Sequence, residues 1–224
     1  MRPQSTTSPG PARRPVQSAA PTPVTLSPPL VQSKLRPPAL RLQTVGRSRV
    51  VELVRDHADR RIVSTIAAPG YGKTMFLAEL AATAARHRER VAWVTVDDLD
   101  NDPTTLLAYL AAAFEPLLPP VASQRAALSG LVTPVAERAV ARLAARLEAL
   151  DRPTLLVLDD VHRLVDQTAV DVVAGLIDRM PPRLSVALAG RIEPHLPFAR
   201  FRAQGNLFEI RPEDLRWTSA RLPR

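Results

Sequence analysis

The sequence predicts a three-layer α/β fold around a mostly parallel sheet of five strands. Three observations carry that prediction. Short apolar runs rich in β-branched residues alternate with longer stretches whose apolar residues recur at helical spacing. One run, Thr154-Leu155-Leu156-Val157-Leu158, is continuously apolar, the pattern of a central parallel strand covered on both faces. The first run passes through a glycine-containing loop directly into a helix, an order that belongs to parallel architectures.

Residues 1 to about 33 are rich in Pro, Ser and Thr and hold almost no large apolar residues. They bury too little to offset their chain entropy, so a disordered tail is expected. The folded core is expected over 34–217, with 218–224 as a short C-terminal tail. It opens on Lys34-Leu35-Arg36-Pro37-Pro38 and a short helix holding Val50, Val51 and Leu53. Ile62 to Ala67 is the first strand, and the helix after it presents Phe76, Leu77, Leu80 and Ala84 on one face.

Ala92 to Val96 reads as the second strand, and Trp93 and Trp217 are expected to fill core or domain-edge positions. It ends in Asp97-Asp98-Leu99-Asp100-Asn101-Asp102-Pro103, which resembles a calcium loop but lacks that loop's glycine and closing glutamate. A helix start explains it better, with Asp102 as N-cap and Pro103 in the first turn. Leu106, Leu107, Leu110, Phe114 and Leu117 follow at helical spacing, and Pro119-Pro120 end that helix. Residues 121–134 declare no element. The next helix carries Val140, Leu143, Leu147 and Leu150. After the third strand, Thr154 to Leu158, a helix with Val170, Val173, Ile177 and Met180 stops at Pro181-Pro182. Leu184 to Ala189 is the fourth strand, an arginine-rich segment follows, and Leu207 to Ile210 is the fifth.

The loop after the first strand, Ala67-Ala68-Pro69-Gly70-Tyr71-Gly72-Lys73-Thr74, has the composition of a phosphate-binding loop, with Ala67 where the pattern's first glycine stands. Its backbone amides and the unpaired donors of the helix's first turn converge where the helix dipole also favours negative charge. Gly70 and Gly72 can take positive φ and let a phosphate approach the main chain. Lys73 supplies an ammonium for the β- and γ-phosphates, and Thr74 is placed to hold Mg²⁺. Of 30 basic residues only Lys34 and Lys73 are lysine, so this chain keeps lysine where a compact point charge is needed.

Ligands of open parallel sheets bind beyond the carboxyl ends of the strands. Asp159-Asp160 and Gly190-Arg191 both fall at such ends. Asp159 is assigned to Mg²⁺ and Asp160 to activating the attacking water. Asp160 is one methylene shorter than a glutamate in that role, so slow hydrolysis suited to a switch is expected. Arg191 is assigned to sensing the γ-phosphate through charge-assisted hydrogen bonds. Arg200 and Arg202 are weaker candidates, and His162 reads as a packing or hydrogen-bonding residue near the acids. These assignments make the fold a three-layer P-loop NTPase.

The rest of the composition bounds the partners. There is no cysteine for a disulfide or a cysteine-type zinc site. No apolar run approaches the roughly 20 residues of a membrane helix, and the N-terminus has no signal-peptide h-region, so a cytoplasmic protein without membrane contact is expected. The net charge is +8, yet eight basic residues and no acid precede Glu52. The remainder has 22 basic against 22 acidic residues, so no nucleic-acid contact is expected from the folded core.

With these residues in hand, the chain resembles the ATPase domain of the large LuxR-type transcriptional regulators, the maltose-regulator-like branch of the signal-transducing (STAND) P-loop ATPases. The resemblance rests on Lys34-Leu35-Arg36-Pro37, Val45-Gly46-Arg47, Ala68 to Thr74, Trp93 to Pro103, Leu158-Asp159-Asp160-Val161-His162, Gly190-Arg191 through Gly205, Phe208-Glu209-Ile210 and Asp214-Leu215-Arg216-Trp217. It implies that Val45 and Arg47 lie against the adenine and that Arg191 is the sensor arginine. It further implies ATP binding, ADP in the resting state, and oligomerisation on induction. Met75 departs from the family's usual hydroxyl residue and keeps only the backbone donor. The chain stops at Arg224, where such regulators continue, so a nucleotide-binding core without its own DNA-binding domain is expected. The other function considered is a non-catalytic interaction module, or a degraded fragment, that associates with full-length regulators.

Overall fold

In the computed structural model, residues 30–40, 48–119 and 134–216 are described here. The predicted Val45, Arg47 and Trp217, and nearly all of 121–134, lie outside the described residues. Five strands, β1 (Ile62–Ile66), β2 (Arg90–Thr95), β3 (Thr154–Asp159), β4 (Leu184–Gly190) and β5 (Leu207–Ile210), form one sheet in the order β2-β3-β4-β1-β5. Every pairing is parallel, which is stricter than the expected mostly parallel sheet. The registers follow directly from the apolar runs: Val63 pairs with Ala187 and Leu156 with Val186.

Helices α1 (Ser48–Asp56) and α2 (Lys73–Arg86) cover one face. Val50, Val51 and Val54 of α1 and Phe76, Leu77 and Leu80 of α2 pack there with Trp93, Val157 and Ala187. Helices α3 (Pro103–Phe114), α4 (Pro134–Leu147) and α5 (Gln167–Asp178) cover the other. The burial of β3 is complete from Thr154 to Asp159, as its unbroken apolar run requires. The arginine-rich segment before β5 contains a short helix, α6 (Phe198–Ala203), that the sequence reading left without an element. Phe198 and Phe201 bury one side of it, and its arginines point outward to acids.

The acid-rich stretch after β2 is a helix start in two stages. Asp97 and Asp100 form a capping box around the 3-10 turn Asp98–Asn101. Asp102 then caps α3 by accepting from the amides of Thr104 and Thr105. The cation this cluster holds is the chain's own. Lys34, 8 % exposed, places Nζ 2.6 Å from Asp100 Oδ2 and 3.0 Å from Asp97 Oδ2. The same ammonium lies 4.0 Å from the centre of the Tyr109 ring, whose hydroxyl accepts from the amide of Val31. The turn Gln32–Leu35 is thereby held against β2, an edge strand, and α3.

At the opposite edge, Arg202 of α6 meets Glu209 of β5 through both carboxylate oxygens, at 2.7 and 3.0 Å. That hydrogen bonding holds the Glu209 carboxyl below its ordinary pKa. A carboxyl depressed in the folded state adds stability above its unfolded pKa and loses it as pH falls through the folded value. Thermal melts of Glu209→Gln are therefore expected to lie a degree or two below wild type near neutral pH, a small effect because the pair is partly solvated. The gap closes only as pH falls through the depressed folded value, below the ordinary glutamate range, where the wild-type carboxyl is protonated too. A gap that persists unchanged at acid pH would contradict this.

Candidate functional site

The C-terminal ends of β1, β3 and β4 lie along one edge of the sheet. Because β4 sits between β1 and β3, the residues after it fall between the glycine loop and the acid pair. Loop and β4 are tied directly, since the amide of Ala67 donates to the carbonyl of Gly190 at 3.2 Å.

Gly70 and Gly72 both adopt left-handed backbone, with φ of 86° and 71°. Glycine meets that demand without the strain a Cβ would bring. Gly72 is the N-cap of α2, and its carbonyl accepts from the amide of Phe76 at 2.9 Å. The amides of Lys73, Thr74 and Met75 precede that first bond and have no acceptor within the helix. The N-cap glycine has no side chain to cover them. Pro69 and Gly70 are exposed, Thr74 and Met75 are partly buried, and Tyr71 packs against the α1–α2 side of the core.

Lys73 is 7 % exposed, and its Nζ donates to the carbonyls of Ala67 (2.7 Å) and Ala68 (3.1 Å). Burial pushes its pKa down, Asp160 and Asp159 pull it up, and Arg191 lowers it further. The ammonium is thus within electrostatic reach of both acids and of the arginine. Asp159 is 2 % exposed, and burial raises its pKa. The side chain of Thr74 lies beside this carboxylate and favours its charged form. Asp159 also accepts from the amide of Asp160 at 3.0 Å, while its carbonyl holds the amide of Val96 at 2.9 Å.

Asp160 takes φ of 58°, the left-handed region that aspartate tolerates better than most residues. The reversal sends the chain into the 3-10 turn Val161–Arg163 and brings His162 back towards the acid. Arg191 is exposed and makes no ion pair among the described residues. The structure therefore brings Lys73, Thr74, Asp159, Asp160 and Arg191 to one edge. Arg200 and Arg202 are elsewhere, paired with Asp178 and with Glu193 and Glu209. His162, read as a packing or hydrogen-bonding residue near the acids, lies with Nδ1 3.7 Å from Asp160 Oδ1.

The donors suit a hard cation held with phosphate. A hydroxyl and a carboxylate are the oxygen ligands Mg²⁺ takes from a protein when substrate phosphates and water complete its shell. Among the described residues no cluster of three or more His, Cys, Asp or Glu offers a closed cage. No described helix is long and apolar enough to cross a membrane.

Residues 55–193 match the family model described as an AAA domain. The HTH-type transcriptional regulator MalT of Cronobacter sakazakii is 28% identical over 198 residues, covering 84% of this chain and 21% of that protein. The serine/threonine-protein kinase PknK of Mycobacterium tuberculosis is 26% identical over 197 residues, covering 88% of this chain and 18% of the kinase. The chain thus spans about a fifth of the length of these curated relatives. Among solved structures, the crystal structure of a DNA replication initiation factor overlaps with a TM-score of 0.43 at 16% identity, covering 75% of this chain and 48% of that one.

Proposed function

The chain belongs to the AAA domain family, and on that premise we propose that it is an ATP-binding switch domain of a LuxR-type transcriptional regulator, with slow Mg²⁺-dependent hydrolysis. One observation carries the reading: a buried lysine at a helix N-terminus with uncovered amides feels two strand-end carboxylates and an arginine across a single sheet edge. The amides from Gly70 to Met75 and the Lys73 ammonium bind the phosphates. Thr74 and Asp159 hold the cation, which when bound neutralises charge on the phosphate oxygens. Asp160 orients the water, and Arg191 contacts the γ-phosphate. Asp160 is short and set on a reversed backbone, which suits slow turnover.

The two kinds of relative support a switch rather than an output. One is named as a transcriptional regulator and the other as a protein kinase, and both share this segment. A nucleotide-dependent module that self-associates or associates with full-length regulators serves either.

Titration of wild type, Thr74→Val and Asp159→Asn with a fluorescent ATP analogue, with and without Mg²⁺, tests this. Wild type is expected to bind about tenfold more tightly with Mg²⁺, roughly 1.4 kcal/mol. Both variants are expected to lose most of that increment and keep their Mg²⁺-free affinity. Negligible binding by all three proteins would favour the interaction module instead. A wild-type single-turnover rate of many per second would refute the slow switch.

A further inference from the structure

We propose that His162 is the positioning residue of Asp160, donating from Nδ1 to its carboxylate when nucleotide is bound. This rests on the reading of Asp160 as the group that orients water. Two observations and two general rules of hydrogen bonding lead to it. His162 Nδ1 is fully buried and has no hydrogen-bond partner among the described residues. A buried ring nitrogen left in that state is costly and calls for an explanation. The polar atom that can satisfy it is Asp160 Oδ1, which lies 3.7 Å away, a few tenths of an ångström beyond hydrogen-bond range. Hydrogen bonds of this kind are commonly long before substrate binds and close in the loaded state.

The backbone is arranged to keep the pair together. Asp160 takes its left-handed conformation at the exit of β3, and that reversal folds His162 back within two residues. Gly190, at the exit of β4, lies beside His162 and against the backbone that follows Arg191. A Cβ there would stand 3.5 Å from His162 Cβ and 3.0 Å from the carbonyl of Ile192.

The surroundings also select the imidazole's form. Burial lowers the His162 pKa, and Arg191, Arg163 and Lys73 lower it further against the pull of Asp160. The ring is neutral at pH 7, so the hydrogen bond to Asp160 fixes the proton on Nδ1. The residue gives up no proton. It holds the carboxylate in one rotamer, which a short side chain on a reversed backbone does not do by itself.

Asparagine places an amide nitrogen near the position of Nδ1, whereas glutamine places it near Nε2. The test compares single-turnover hydrolysis and ATP-analogue affinity in wild type, His162→Ala, His162→Asn and His162→Gln. Loss of carboxylate positioning is expected to slow His162→Ala and His162→Gln by about 10- to 100-fold, the scale of a misplacement near 1 Å, with affinity changed less than about threefold. His162→Asn is expected to recover most of the lost rate. Equal losses in the asparagine and alanine proteins would overturn the Nδ1 role, as would an unchanged rate in all three. Failure of the underlying reading looks different: the wild type itself then binds no nucleotide, or binds it without any turnover, and the inference falls with it.

Discussion

Lys34→Ala is expected to lower the stability of the fold by about 3–5 kcal/mol, the usual cost of leaving a buried charge without its partner. The ammonium bridges Asp97 and Asp100, and the Asp100 side chain is completely buried. Asp100 also accepts from the amide of Asp97 and thereby closes the capping box after β2. Removing the lysine leaves that carboxylate in a site without countercharge, takes the cation off the Tyr109 ring, and frees the turn that covers the edge of β2. At roughly 2–4 °C per kcal/mol for a domain of this size, the midpoint of thermal unfolding should fall by about 10 °C. Lys34→Arg should recover only part of it, because a planar fork does not fit where a compact charge meets two carboxylates and a ring face. Asp97→Asn should cost less, since that side chain is 43% exposed. A Lys34→Ala midpoint within 1 °C of wild type would show that the clasp contributes nothing.

The chain's other lysine should behave in the opposite way. Burial already disfavours the charge on Lys73, and its partners are two backbone carbonyls. Lys73→Ala is therefore expected to leave the nucleotide-free midpoint unchanged or slightly raised. ATP affinity should fall about 100-fold, or ~2.8 kcal/mol, the scale of losing charge-assisted contacts to phosphate. Calorimetric melts without nucleotide and titrations with it separate the two effects. Parallel loss of stability and affinity would make Lys73 a structural residue.

Much of this was legible in the sequence because it is local. β3 declared itself by continuous hydrophobicity, and Asp102-Pro103 by capping chemistry that acts within one turn. What was not legible depends on contacts between distant segments. The acids after β2 announce a helix start but not a cation, because Lys34 and Asp100 are 66 residues apart. Helix α6 is six residues long, too short for its two phenylalanines to show a period. The closeness of His162 to Asp160 depends on a left-handed backbone at a residue that is not glycine, which no spacing rule foretells. For the candidate site, the loop and the acid pair were readable as motifs, whereas their meeting with Arg191 depends on β4 lying between β1 and β3.

The Lys34 clasp also fixes where this folding unit must be cut. The matched family region begins at residue 55 and ends at 193, which would discard the clasp's lysine, most of α1, and the strand paired with β1 along its far side. A polypeptide trimmed to those limits would expose a bare sheet margin at each flank and strand an acidic group in the interior. Recombinant fragments meant to behave well should start upstream of Leu30 and run past Leu215.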